Sequence, residues 1–430
     1  MNWVLVRRIF IILGISLLIF LYFSLQWGSL DAFAQAFDSC KYIFCDFLRY
    51  YYPMGKQILA EHKPSEGFYY SPTIALAFSL WRFLERETAI LTWGVVQVLA
   101  VIFMIATWHH SLQKASFPFR LLFLFLALTA MPVIHNFKWG QISLLSNLSI
   151  ILALEFYESK KKTAASFWLA FASLFKFYPI LFLLYFVLAC DLVFLILFML
   201  FLFLLGIAIP AFFIGFKPTI IFYFAVLDVT GARFADMADR LPGINSQYFP
   251  LVAMRYFGEF NNLEWLLPLQ ILSWLIVGAN LLLVFMLASS NLENRNRWAF
   301  LILLASTSFL IPSSWPHYFI YLPAFQASLL FLTARDKHRI WKYPILLVSM
   351  VFSNVFFVHT FESWQPYAYW GFLACSNLLL ILLTYAETVP HLSLRASRDF
   401  YRDYFRAVTG QVMDLKRRLF SVRSSRGRIE

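Results

Sequence analysis

Long runs of uncharged, apolar residues decide most of what this chain can fold into. Ile9 to Gln26, Leu192 to Phe216 and Trp265 to Leu292 contain no Asp, Glu, Lys or Arg. Each is long enough to cross a hydrocarbon core ~30 Å thick, which takes about 20 helical residues. No water is available there, so the backbone must satisfy its own hydrogen bonds, and such a run must be helix. Composition agrees. Only 13% of the 430 residues are charged and 61% are hydrophobic, whereas soluble domains carry roughly 25% charged residues. The sequence therefore predicts an all-α polytopic membrane protein.

The formal net charge of +12 does not point to nucleic acid. Lys and Arg fall between the apolar runs and in the C-terminal tail, the distribution that orients membrane helices. With Arg7 and Arg8 inside, a helix over 9–26 leads out to a first outer loop, 27–87. That first helix also has the form of a signal peptide, with Ala32-Phe33-Ala34 as a cleavage site, but its bulk favours a retained helix. The outer loop holds short amphipathic stretches, such as Met54 to Glu61, suited to lie at the membrane surface. A helix over 88–108 returns inside. Spans over 121–134 and 141–157 enclose an outer turn, His135 to Gly140, and Lys160-Lys161-Lys162 follow inside.

Ala164 to Leu188 is interrupted by Lys176-Phe177-Tyr178-Pro179. A single crossing here would place Arg295, Arg297, Arg335, Lys337, Arg339, Lys342 and the basic tail outside, against the positive-inside rule. The chain must turn back at Lys176, as two short crossings or as a re-entrant pair. Residues 192–216 then lead to a second outer segment, 217–262, and 265–288 return. Trp298 to Ala334 has no Asp, Glu, Lys or Arg. As one helix it would be ~56 Å long, too long for one span. Ser313-Ser314-Trp315-Pro316-His317 breaks it into a hairpin with an outer turn. Spans over 343–359 and 367–386 complete a bundle of about 10–12 transmembrane helices. One domain, 1–388, is thus followed by a basic cytoplasmic tail, 389–430, which is a surface helix or partly disordered.

Cys40, Cys45, Cys190 and Cys375 have no metal-type spacing; Cys40 and Cys45 either pair or stay free. There is no Gly-rich phosphate loop and no dinucleotide fingerprint.

Polar groups near membrane depth are costly and usually functional. Asp46, Arg49, Asn136, Lys138, Gln141, Lys176, Asn245, Gln247, Arg255 and His317 all fall on the predicted outer face. That convergence suggests one outward-facing polar pocket. Taken singly, each has a plainer reading: a loop ion pair for Asp46 and Arg49, snorkelling for Lys176, an interfacial belt for His317 and the Tyr50-Tyr51-Tyr52 run.

Several stretches resemble glycosyltransferase family 87, the polyprenyl-phosphate-mannose-type transferases of the GT-C fold. They are Asp46-Phe47-x-x-Tyr50-Tyr51-x-x-x-Gly55, Phe68-Tyr69-Tyr70-Ser71-Pro72, Gly140-Gln141-Ile142-Ser143-Leu144-Leu145, Ala170 to Pro179, Asn245-Ser246-Gln247 with Arg255-Tyr256-Phe257-Gly258, and Ser314-Trp315-Pro316-His317-Tyr318. The chain departs from that pattern at Ser71, where the family usually has proline, and in the order of Ser246 and Gln247.

The resemblance implies a GT-C-like bundle with juxtamembrane helices in the first outer loop, set in a bacterial inner or plasma membrane. It implies transfer of a hexose, mannose first, from a polyprenyl-phosphate donor to a hydroxyl of a glycolipid or glycan acceptor. The reaction inverts the sugar carbon, needs no cofactor and no obligatory metal, and faces the periplasm or exterior, with both termini cytoplasmic. Asp46 is then the expected general base. Lys176, His317, Arg49, Gln141 and Arg255 are expected to bind the donor. Tyr50, Tyr70, Asn136, Asn245, Gln247 and Trp315 are expected to line the pocket or meet the acceptor. A transporter or lipid flippase with an outward-facing polar pocket is the alternative, since broken helices and intramembrane cations suit that class too.

Overall fold

The computed structural model describes residues 43–111, 117–239, 245–256, 263–333, 341–361 and 364–403, with 406 and 409. The expected first helix, Cys40 and most of the basic tail lie outside these. Every named element of the described chain is helical. Among the described residues, four helices are long and apolar enough to cross a bilayer: Arg86–Trp108, Leu192–Ile214, Leu266–Ser289 and Trp364–His391. The protein is an all-α polytopic membrane protein.

In chain order the helices are α1 (Tyr52–Glu61), α2 (Pro72–Phe78), α3 (Arg86–Ser111), α4 (Phe117–Leu128), α5 (Met131–Trp139), α6 (Ser143–Glu158) and α7 (Lys162–Phe175). Then come α8 (Leu183–Leu188), α9 (Leu192–Phe203), α10 (Ile209–Ile214), α11 (Phe216–Asp239), α12 (Phe249–Tyr256), α13 (Leu266–Ser289) and α14 (Arg295–Leu310). The last are α15 (Leu322–Thr333), α16 (Lys342–Phe352), α17 (Val355–Val358), α18 (Trp364–Tyr369) and α19 (Phe372–Thr388).

Two kinds of helix make the bundle. Every residue of α14 from Trp298 to Phe309 is buried, as an all-round apolar helix in the middle of a protein should be. On α9 only Phe194 and Phe198 are buried, while Ile196, Met199, Leu200 and Phe203 are exposed. Such a wall is stable only against lipid.

The charged ends pair with one another. Lys162 meets Asp191 at 2.8 Å, and Arg297 meets Glu155 at 3.1 Å and Glu158 at 3.0 Å. These contacts put the start of α7, the end of α8, the end of α6 and the start of α14 at one end of the bundle. Because Lys162 and Asp191 touch, the chain between them is a hairpin, and it turns back at Lys176. Its first limb is α7. Its second is a 3-10 turn over Tyr178–Phe182 followed by α8. Each limb is ~20 Å long.

Several boundaries differ from expectation. The expected outer turn His135 to Gly140 is helical through Trp139, and the reversal is made by Gly140 alone, at φ +64. A Cβ there would sit 2.9 Å from the Phe44 Cβ and 3.1 Å from Trp93 Nε1, so both backbone sign and space call for glycine. The second outer segment, 217–262, whose internal structure the sequence left open, opens with the 24-residue α11. Its Lys217 and Asp228 interrupt the apolar pattern, but Phe222 and Val226 pack into the cluster formed by the first outer loop.

Helix breaks are matched in pairs. The backbone gap between α4 and α5 hydrogen-bonds the gap between α16 and α17. Val355 N–H donates to Thr129 O at 2.9 Å, Met131 N–H donates to Ser353 O at 2.8 Å, and the Asn354 amide donates to the Thr129 hydroxyl at 2.6 Å. Each break thereby satisfies groups that the other freed, which is what a lipid-embedded break requires.

Candidate active site

At the end of the bundle away from the Lys162, Glu155 and Arg297 pairs lies a cavity of about 740 Å³. Four segments supply most of it, and α11 adds Thr230. The first outer loop supplies a π-helical turn, Phe47–Tyr51, preceded by Asp46. The Gly140 reversal supplies Trp139 and Gln141. The Lys176 turn supplies Lys176 and Tyr178. The interruption between α14 and α15 supplies Ser313, Trp315, His317 and Tyr318.

Of the residues singled out in the sequence, Asp46, Arg49, Tyr50, Tyr70, Gln141, Lys176, Trp315 and His317 all line this one cavity. Asn136, Asn245, Gln247 and Arg255 are not among its lining residues. They hold the backbone that shapes it. The Asn136 amide donates to Gln97 Oε1 at 2.8 Å, and the Gln97 amide donates to the Gln141 carbonyl at 3.0 Å. Arg255 donates to the carbonyls of Ala368 at 3.0 Å and Ser246 at 2.8 Å. Gln247 donates through its backbone to Ser314 O at 2.7 Å and through its amide to Ala368 O at 3.0 Å. Asn245 accepts from Trp364 Nε1 at 2.7 Å. Together these three fasten the turn that carries Trp315 and His317.

Asp46 is 8% exposed. The Gln141 amide donates to its Oδ2. Lys176 lines the same cavity in extended backbone (φ −147, ψ 142), outside the helices on either side. Its ammonium stands over the Tyr318 ring, 3.7 Å from the centroid, a cation–π contact that partly replaces lost hydration. Burial pulls Lys176 down to about 7, with Asp46 opposing the shift. The His317 imidazole is pushed well below its ordinary value by burial, then by Lys176 and His135. Its ring stacks 5.5 Å from that of His135.

Two buried nitrogen atoms in the lining, Nδ1 of His317 and Nε1 of Trp139, have no hydrogen-bond partner among the described residues. Buried donors of this kind are normally satisfied, so both are free to serve a bound anion or hydroxyl. The cavity therefore sets one buried carboxylate opposite a lysine and a neutral histidine, with aromatic walls between. That is a constellation for removing a proton on one side and stabilising negative charge on the other.

Tyr51, Tyr69, Trp139, Tyr178 and Tyr318 also line the cavity and were not singled out from the sequence. Nothing in composition separates them from belt aromatics. The signal that could have marked Tyr51 is its place beside Tyr50 in the Asp46-Phe47-x-x-Tyr50-Tyr51 stretch.

No curated protein and no solved structure matches the chain. The model of glycosyltransferase family 87 matches residues 68–313, a stretch that holds Tyr70, Gln141 and Lys176 and stops short of Asp46 and His317. It covers more than half of the chain, and with the membrane fold and the cavity already described, it shows that this protein belongs to glycosyltransferase family 87.

Proposed function

We propose that this membrane glycosyltransferase takes a hexose, mannose first, from a polyprenyl-phosphate carrier and delivers it to a hydroxyl of a glycolipid or glycan. The observation that carries the reading is the placement of Asp46, Lys176 and His317 around one cavity. The acceptor oxygen attacks the anomeric carbon, and the bond from that carbon to the phosphate oxygen breaks. Polyprenyl phosphate leaves with the electron pair, and Asp46 takes the acceptor proton. In-line attack inverts the sugar carbon. The leaving phosphate gains charge, and Lys176 and the donors of His317 and Trp139 stabilise it, a class of contact worth a few kcal/mol each. Arg49, at the cavity mouth, adds a further cation. No step calls for a metal or cofactor.

Sidedness follows from charge. The cavity lies at the end opposite Lys160 to Lys162, Arg295 and Arg297, and basic residues favour the cytoplasmic side. The cavity then opens to the periplasm or exterior of a bacterial inner or plasma membrane, where sugars are carried on lipid phosphates.

The test is sugar transfer by the purified protein from a panel of radiolabelled polyprenyl-phosphate sugars to extracted membrane lipids. Wild type should move label. Asp46→Asn should lose ~10²–10⁴-fold in kcat, the span usual for a general base, with donor binding retained. Full turnover by Asp46→Asn would remove the base assignment. Transfer from no donor, with folded protein, would favour the transporter reading.

A further inference from the structure

Gln141 came out of the sequence as a candidate donor-binding residue, but its side chain is engaged elsewhere. Its amide N–H donates to Asp46 Oδ2. Its Oε1 faces two phenols, Tyr51 Oη at 3.0 Å and Tyr70 Oη at 3.4 Å. The two phenols also meet each other at 2.9 Å. Three contacts therefore compete for two phenolic protons. The two short ones win if Tyr70 donates to Tyr51 and Tyr51 donates to Gln141. The long Tyr70–Gln141 approach is then a spectator.

This assignment gives every donor one direction, Tyr70 to Tyr51 to Gln141 to Asp46. The Gln141 amide lies accordingly. An ionised Asp46 carboxylate can only accept, so the NH₂ group must face it and Oε1 is left for the phenols. Aligned donors polarise one another, and the chain delivers that polarisation to the carboxylate. Burial raises the phenols of both Tyr51 and Tyr70, so both keep their protons. The anchorage is rigid. Tyr51 is fully buried, stacked 5.0 Å from Phe78, and the Gln141 backbone is fixed by Gln97 at 3.0 Å and Asn136 at 3.0 Å.

We infer that Tyr51 and Gln141, with Tyr70 behind them, are positioning residues that hold Asp46 as an ionised, oriented carboxylate poised to accept a proton. The inference rests on the proposed role of Asp46 as base. It removes Gln141 from the donor-binding set and gives Tyr51 a role that goes beyond wall-building.

The other charged or titratable groups lining the same cavity include Lys176, which acts on Asp46 electrostatically, His317 and Arg49. The cations also favour the carboxylate, so the relay must be tested by its increment over them. A hydrogen bond to the charged form favours that form, so weakening the Gln141 donor by removing the phenol that polarises it must move the carboxyl's titration upward.

The measurement is an infrared pH titration of Asp46 in the full-length protein in proteoliposomes. The Asp46 carboxyl band is identified by its loss in Asp46→Asn. Tyr51→Phe keeps the ring and deletes the link, and should raise the midpoint by about one pH unit, a tenfold change in proton affinity. Tyr70→Phe deletes only the outermost link and should move it in the same direction by less. An unshifted midpoint in folded Tyr51→Phe, or a larger shift in Tyr70→Phe, would overturn the chain as drawn. If Tyr51→Phe melts well below wild type, Tyr70→Phe and Gln141→Glu decide. The glutamate brings a like charge onto Asp46 and should raise its midpoint most of all; no rise in either would equally refute the relay. The titration needs no turnover, so it stands apart from the transfer assay. A relay that fails while Asp46→Asn is inactive leaves the base in place. An active Asp46→Asn removes the base whatever the relay shows.

Discussion

Lys176 must carry charge in a place that discourages it. Burial lowers its ammonium to about 7 even with Asp46 pulling the other way. The protonated form prevails below that value and the neutral amine above it. A donor phosphate needs the cation, so the donor KM should rise as pH climbs past ~7, by roughly tenfold per unit once the amine is neutral. Lys176→Arg should flatten that alkaline rise, because a guanidinium stays charged throughout. Donor KM measured from pH 6 to 9 for both proteins checks this. A rise of the same size in Lys176→Arg would take Lys176 out of phosphate binding. The sequence made Lys176, Asp46 and His317 legible because a charged or titratable group among apolar residues is conspicuous. It could not separate Tyr51 from Tyr50 and Tyr52. Three adjacent tyrosines look alike until the π-helical turn sends Tyr51 to Gln141, while Tyr52 goes to the Leu84 carbonyl at 2.7 Å. Nor could it tell Asn136 and Arg255, which hold backbone, from residues that meet ligand, because both tasks call for buried polar groups.

Among the elements, the breaks are better placed by the sequence than the helices they interrupt. Lys-Phe-Tyr-Pro and Ser-Ser-Trp-Pro-His each announce a reversal, and each reversal carries a cavity wall. What local pattern could not reveal is that one break is completed by another far along the chain. Asn354 joins two such breaks across 225 residues by its bond to Thr129, and it caps α17 by accepting from Phe356 N–H at 3.0 Å. Asn354→Ala removes both bonds and strands the Thr129 side of the junction. A loss of about 1–3 kcal/mol is expected, read as a lower unfolding midpoint in detergent with the donor KM little changed. The helix α11 was hidden for a related reason. Its scattered charges give no clean apolar stripe, yet one face docks Phe222 against Phe68 with ring centroids 6.3 Å apart.

The whole molecule is polarised, with ion-paired ends at one pole and the cavity at the other. Labelling with a membrane-impermeant maleimide should see that polarity directly. In intact cells Lys63→Cys, an exposed position in the first outer loop, should label. Lys161→Cys, at the ion-paired end, should label only after the membrane is opened. The reverse pattern would place the cavity in the cytoplasm and exclude a donor presented outside. The all-α membrane class could be read from hydropathy alone, but of the 10–12 spans expected only four helices among the described residues are long and apolar enough to cross. The short interior helices could not, since burial inside a bundle relaxes the length that lipid imposes.

One limb of the Lys176 hairpin is not inside the bundle. Ile180, Leu184 and Val187 are exposed along it, yet the limb is only ~20 Å tall, well short of a ~30 Å hydrocarbon core. A short apolar wall against a thicker bilayer draws the lipid down to meet it. The leaflet beside the cavity should therefore be dimpled, with headgroups there closer to the midplane than elsewhere. The lipid-phosphate donor proposed above would then not need to climb out of the membrane to reach Lys176, because the membrane surface would descend to it.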